Sequence, residues 1–342
     1  MNTKRKALPN QWFVFGSLTK RHLLVFLKNI PTILFTLMVP LVILAVYALF
    51  LRPMEANQIK DMLAQYGIVM NESNPDDLAF LRKIYGIADC WMMSGVMAVS
   101  CITVSLNTNY ILVRDKESGV SRDMISSPID HRVIMLSYFT FNTIVTFVVN
   151  LLVYFICLLW LVCYNAYMIS VLDFFAIIGV LLLSTISASL ITFFICSFIN
   201  SESIMSPVVA IVSAAIGFLI GAYLPASMLP ESVEKITVFF PGTYSASLLR
   251  NYFMHTPIEK LEATAIVQAH PEFITKFENS FQLDIDFFGY NVPPSIMVVV
   301  LFAFVLIFLA LNTIFGSKNF VKVSRGDKKI KNKKTVSKEG NN

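Results

Sequence analysis

The 342-residue chain carries little charge. Asp, Glu, Lys and Arg make up 14% of it, where a soluble domain holds roughly 25%. That shortage, with 56% hydrophobic residues, excludes an ordinary water-soluble surface. No Gly-Lys dipeptide occurs, so the GxxxxGK[ST] phosphate loop is absent and ATP is not bound through that fold. The five cysteines (Cys90, Cys101, Cys157, Cys163, Cys196) form no CxxC pair and lie within or at the edge of apolar runs. That argues against a disulfide framework or a zinc site and leaves them as small packing residues. Ionisable groups are missing from the middle of every apolar run. Asp89 and Asp173 fall at run ends, Glu202 in a turn, and His22, His131, His255 and His270 outside the runs. An ion-coupled carrier keeps such a group at membrane depth, so its absence argues against one. An intramembrane hydrolase needs a base beside its nucleophile. The hydroxyls of Ser184, Thr185, Ser187, Ser189, Thr192, Ser206 and Ser213 have none nearby, and no GxSxG is present. With Ala214, Gly217 and Gly221 they read as helix-packing residues.

What the chain does have is six apolar runs of the length that crosses a hydrocarbon core of ~30 Å. They cover Pro31–Leu51, Ala88–Val113, Val133–Tyr164, Val171–Ile199, Ile204–Pro225 and Pro293–Phe315. The third and fourth exceed what a bilayer needs, which predicts tilt or protrusion. The first strongly apolar run starts near Ile30 with no small-residue cleavage site after it, so the N-terminus does not read as a cleavable signal peptide. With the N-terminus inside, 19 of the 27 Lys and Arg lie in the inner segments 1–30, 114–132, 200–203 and 316–342. The bias predicts both termini in the cytosol. The basic run from Lys318 to Lys338 reads as a solvated tail.

Residues 1–30 form a basic arm and then a mixed aromatic and basic stretch. At 3.6 residues per turn, Lys20, Arg21 and Lys28 share one side, with Trp12, Phe15 and Phe26 roughly opposite. That pattern predicts a helix lying in the membrane interface, its cations towards lipid phosphates. Two outer segments are long. Segment 52–87 is polar, with a turn expected at Asn71–Asp77. Segment 226–292 holds Val238-Phe239-Phe240-Pro241-Gly242-Thr243-Tyr244, apolar but too short to span. A sharp break at Pro-Gly, in a helical hairpin dipping into the outer leaflet, is the expectation there.

Between the second and third runs lies the only charge-rich inner loop, VRDKESGVSRDMISSPIDHRVI from Val113 to Ile134. It predicts a short helix at the membrane surface, exposing Glu117, Arg122 and Asp123 and offering Met124 and Ile125 as an apolar pair. Gly119 would permit close backbone approach, and Pro128 would end the helix. This loop resembles that of type-2 ABC transporter permeases. In that family an acidic residue two before a Gly, an apolar pair, and a Pro nine after the Gly mark the coupling helix. Glu117, Gly119, Met124–Ile125 and Pro128 occupy those positions. Arg122 stands where an acidic residue is common in the family, with Asp123 beside it. The resemblance extends to the interfacial elbow, the six spans with both ends inside, and the outer re-entrant stretch with Phe240, Pro241, Gly242, Tyr244 and Arg250.

The resemblance implies an all-α polytopic membrane protein with three parts: an arm and elbow at 1–30, a six-span permease domain at 31–315, and a basic tail at 316–342. It implies a permease subunit of an ABC exporter in a bacterial plasma membrane, non-catalytic and without its own cofactor or metal. ATP and Mg would belong to a partner pair of ABC ATPase subunits, contacted by Arg114, Asp115, Lys116, Glu117, Gly119, Arg122, Asp123, Met124, Ile125 and Pro128. A second permease subunit, identical or similar, would complete the path. Membrane lipid, but no nucleic acid, is the other expected partner. The expected cargo is a hydrophobic drug, an antimicrobial peptide or a lipid. A lipid-linked cell-surface polysaccharide and an ion-coupled carrier are the alternatives.

Overall fold

The computed structural model describes residues 10–65, 74–165, 169–223, 235–264 and 290–316, together with 268, 272, 283 and 285–287. Asn29 splits the first two helices, α1 (Gln11–Lys28) and α2 (Ile30–Val46). Asn29 leaves the helical region (φ −98°, ψ 78°) and ends α1, and its side chain accepts from Thr32 N to start α2, whose first turn tolerates Pro31. A π-helical turn, Tyr47–Leu51, then leads into α3 (Arg52–Gln65). The polar outer segment is therefore helical at its start. Helix is regained at Pro75, where proline is tolerated in a first turn. The turn expected at Asn71–Asp77 lies partly outside the described residues, and its last three positions already belong to helix.

From Pro75, α4 runs to Thr108 and α5 (Tyr110–Glu117) continues it, so the second span is much longer than its apolar run. After Gly119 come α6 (Val120–Ser126), α7 (His131–Asn165), α8 (Val171–Ser197) and α9 (Glu202–Leu219). The expected end of the fifth span, Pro225, lies outside the described residues. Helix α10 (Pro241–Glu262) precedes a short antiparallel hairpin, β1 (Ile285–Phe287) with β2 (Tyr290–Val292), in which Ile285 faces Val292. Helix α11 (Pro294–Leu311) and a second π-helical turn, Asn312–Gly316, are the last of the described elements. Among the described residues the architecture is all-α apart from that hairpin.

Among the described residues, six helical stretches are long and apolar enough to cross a membrane: 30–65, 77–117, 131–164, 171–197, 202–219 and 294–315. The second is the axis of the bundle. Its apolar window is wholly buried, and α2, α7, α8, α9 and α10 all pack on α4. The outward faces of α2, α7 and α11 carry Leu34, Phe35, Leu152, Phe155, Phe302 and Leu306 exposed, as a hydrocarbon surround requires. Two apolar cores stack along the axis. One, around Trp91, Met97 and Phe253, fills the upper part. The other, around Phe26, Val104, Tyr138 and Phe141, lies at the lower end beside the charged loop.

The stretch before the last span is helical at 235–237, turns at 238–240 and is helical again from Pro241, because proline suits the first turn of a helix. Helix α10 is buried along most of its length against α4, α8 and α11. A side chain at Gly242 would come within 2.7 Å of Ile220 and 3.2 Å of Ile102, so only glycine lets this tip seat beside α4. The first arm of the expected hairpin, at 224–234, lies outside the described residues.

Candidate functional site

Three consecutive charged residues end the long second span, and each reaches a different helix. The Asp115 carboxylate is buried and accepts two hydrogen bonds from Arg21 of α1, at 2.5 and 3.1 Å. It also accepts one from the Tyr138 hydroxyl of α7, at 2.5 Å. The Lys116 ammonium, likewise buried, donates to the carbonyls of Cys196, Ser197 and Ile199 at 3.0, 2.8 and 3.1 Å. Those carbonyls are left over at the end of α8, where a cation also meets the negative end of the helix dipole. Glu117 turns to α9, whose first amides need an acceptor. Its carboxylate takes the Glu202 N–H at 2.7 Å and the Ser201 hydroxyl at 3.1 Å.

The joint beyond them is Gly119, with φ +87°, in the left-handed region that favours glycine. It turns the chain from α5 into the seven residues of α6. Ser127 is extended (φ −79°, ψ 157°), as a residue before proline has to be, and α6 ends one residue earlier. Met124 and Ile125 pack half-buried against the lower core, and Asp123 and Pro128 face outward.

Several expected partner contacts are therefore internal. Asp115 and Lys116 are sealed inside the chain and offer nothing to another protein, because a buried charge has to find its counter-groups locally. Glu117 is exposed, yet its oxygens are already taken by α9. Arg114 makes a 3.9 Å pair with Glu202 at the surface, worth about 0–1 kcal/mol. Gly119, Arg122, Asp123, Met124, Ile125 and Pro128 lie together on the turn and α6.

The first helix is also rearranged relative to its sequence pattern. Phe26 is buried and Phe15 half-buried on the α7 side, Phe26 lying 6.0 Å from Phe141. Lys20 and Lys28 point outward, and so does Trp12, on its own side of the helix. Arg21 leaves the expected cationic face because the buried Asp115 carboxylate draws it in. That hydrogen bond raises the Arg21 pKa further, against the opposing cost of burial. His22, expected outside the apolar region, is buried and stacks on Tyr138 at 3.9 Å. Arg21 faces its Nδ1 at 3.1 Å, so that nitrogen is the acceptor. Nε2–H then donates to the Ser137 hydroxyl at 3.2 Å, which donates onward to Ile134 O.

Burial pushes the His22 pKa down to about 4, Arg21 adds to the lowering, and Asp115 opposes it. The folded pKa lies below the ordinary 6.5, so the unfolded chain binds the extra proton between those values. The contribution is whole above about pH 6.5 and is lost as pH falls towards 4. Thermal unfolding of the purified protein should show this. By pH 4 the wild type should lose on the order of 3 kcal/mol more than His22→Gln. Parallel pH profiles of the two proteins would contradict the buried neutral imidazole.

The outer stretch holds one more cation than the sequence placed indoors. Arg250 of α10 is 1% exposed, donates to the carbonyl of Gly221 and lies 5.0 Å from the Trp91 ring. Tyr244 is buried, and Phe240 and Pro241 are half-buried beside it.

Sequence reading missed the upper polar cluster, in which Asp89, fully buried, is held by Arg52, Tyr47 and Trp160. The signal was a lone carboxylate at the end of an apolar run. Its partners lie 37, 42 and 71 residues away in sequence, so only the fold identifies them. It also missed the hydroxyl and amide network in which Ser105, Asn142 and Thr192 link α4, α7 and α8.

Comparison with known proteins gives one family. Residues 73–312, more than half of the chain, match the family described as ABC-2 family transporter protein. No curated protein matches the chain.

Proposed function

The chain belongs to the ABC-2 family of transporter proteins, and from that premise we propose that it is the membrane subunit of an ATP-driven exporter, worked from its lower end by ABC ATPase subunits. Family membership carries an ABC ATPase partner and a multi-pass membrane location with it. The finer reading sets the lower end in the cytosol, lets α1 lie at the inner interface, and makes α6 the helix on which two ATPase subunits push. A second permease subunit completes the path, and the tip of α10 is its re-entrant element.

One observation carries this reading: the run Asp115-Lys116-Glu117, joined to α6 through Gly119, is tied to α1, α8 and α9 at once. Charge-assisted hydrogen bonds of this kind are short and directional. Movement of α6 is passed to three helices without needing any of them to touch the ATPase. Met124 adds a path to α7, its sulfur lying 3.9 Å from the Tyr138 hydroxyl. The cargo that best suits apolar faces rich in Phe and Met is a hydrophobic drug, antimicrobial peptide or lipid. A lipid-linked polysaccharide is the competing cargo.

The test is purification of the tagged, full-length protein from its own membrane in mild detergent. An ABC ATPase should co-purify. Asp123→Arg, on the outward side of α6, should cut its recovery about tenfold, a change of ~1.4 kcal/mol, with membrane yield unchanged. ATPase recovery equal to wild type in that variant would remove the role given to α6. A wild-type protein that brings down no ATPase would remove the exporter.

A further inference from the structure

A cavity of about 250 Å³ opens on the side of the bundle, near its lower end, between α7, α8 and α11. Its wall is apolar, built from Met135, Phe139, Phe193 and Leu309. Three polar residues interrupt it, one of them Thr313, whose hydroxyl donates to Ala310 O at 2.8 Å. Arg132, in the first turn of α7, lies exposed at its edge, where the positive end of the helix dipole adds to the guanidinium charge. Asn312 is 6% exposed and opens the final π-helical turn, a distortion that often accompanies function. Its Nδ2 donates to Leu190 O at 2.9 Å and Phe308 O at 2.8 Å, which fixes the amide orientation. Oδ1 is thereby set as an acceptor, and it has no partner among the described residues. Oδ1 is sealed from the cavity space, so Asn312 closes this end of the wall and does not offer it an open polar group.

We propose that the cavity holds an anionic phospholipid, of the phosphatidylglycerol type. One acyl chain lies along the Phe139–Leu309 wall and the phosphate pairs with Arg132. The volume selects against a whole drug-sized ligand, whose pockets run ~300–1,000 Å³, and suits part of a chain. The half-open side suits a molecule whose remainder stays in the bilayer. The Arg132 charge selects phosphate without a neighbouring ammonium. The bound lipid would wedge α11 against α8, the helix that Lys116 holds from the other side. Assigning the site to the inner leaflet rests on the orientation proposed above; the chemistry of its occupant does not.

The experiment needs no ATPase, so its outcome is separate from that of the exporter reading. Full-length protein in detergent is titrated with phosphatidylglycerol, with phosphatidylethanolamine of the same chains, and with glycerol 3-phosphate alone. Retained lipid is counted by native mass spectrometry. One phosphatidylglycerol should be retained at about tenfold lower concentration than phosphatidylethanolamine. Arg132→Gln should erase that preference. Leu309→Trp, which fills the cavity, should abolish retention of either lipid while elution and melting stay those of the wild type. Equal retention of both lipids by the wild type would overturn the proposal. So would unchanged retention in Leu309→Trp, or displacement of the lipid by glycerol 3-phosphate, which would mark a plain anion site.

Discussion

Gly119→Val is expected to lower ATP-driven transport more than tenfold, whereas Gly119→Asn should stay within about twofold of wild type. The argument is conformational. At φ +87° a β-carbon would meet only the Arg122 side chain, at 3.6 Å or more, which is ordinary contact. Space is therefore not the obstacle. A β-branched residue in the left-handed region costs about 1–3 kcal/mol, and the turn relieves that strain by re-aiming α6 against α5. Asparagine is the non-glycine residue that visits this region most readily, so it leaves the angle in place. Alanine should fall between the two. The assay is export by proteoliposomes holding the permease and its ATPase, with ATPase binding scored in parallel. Valine and asparagine variants that transport equally would show that this turn is not the joint between push and bundle.

The second large effect is on stability. Asp89→Ala should cost about 3–5 kcal/mol, the usual penalty for stripping one partner from a buried pair. The Asp89 carboxylate accepts from Arg52 Nε at 2.7 Å, Arg52 Nη2 at 3.1 Å, the Tyr47 hydroxyl at 2.8 Å and Trp160 Nε1 at 3.2 Å. Arg52 also lies 5.4 Å from the Tyr85 ring and 5.9 Å from Trp160 and Tyr164. Without Asp89 the guanidinium, the phenol and the indole all lose the buried carboxylate they converge on. The melting midpoint should drop on the order of 10 °C. Arg52→Met combined with Asp89→Leu should recover about half of that, since paired apolar replacements remove the stranded charge. Trp160 still loses the Asp89 oxygen it donates to in the double variant, which limits the recovery. A single variant melting within about 2 °C of wild type would show that the cluster contributes little.

The spans were legible because membrane length and apolarity are local properties of the chain. The family pattern in the loop was legible for the same reason: Glu117, Gly119 and Pro128 are close together in sequence. What those residues hold was not. Lys116 looks like any lysine in a charged run, and only the fold brings the end of α8 to it. Arg21 read as one of three cations on an outward face, because a helical wheel cannot see the carboxylate 94 residues away that turns it inward. The same limit hid the partners of Asp89. A proline next to a glycine breaks a helix or begins one according to the residues after it. In this chain those residues stay helical as far as Glu262 and pack on α4.

The segment that resembles the family begins at residue 73, yet Arg21 and Arg52, the counter-ions of Asp115 and Asp89, lie ahead of that boundary. A fragment trimmed to the recognisable portion would carry two carboxylates stripped of their guanidinium partners, one near each rim of the bundle. Evolutionary similarity and physical autonomy thus part company in this chain: the fifth of it that precedes the match supplies the electrostatic closure for the rest.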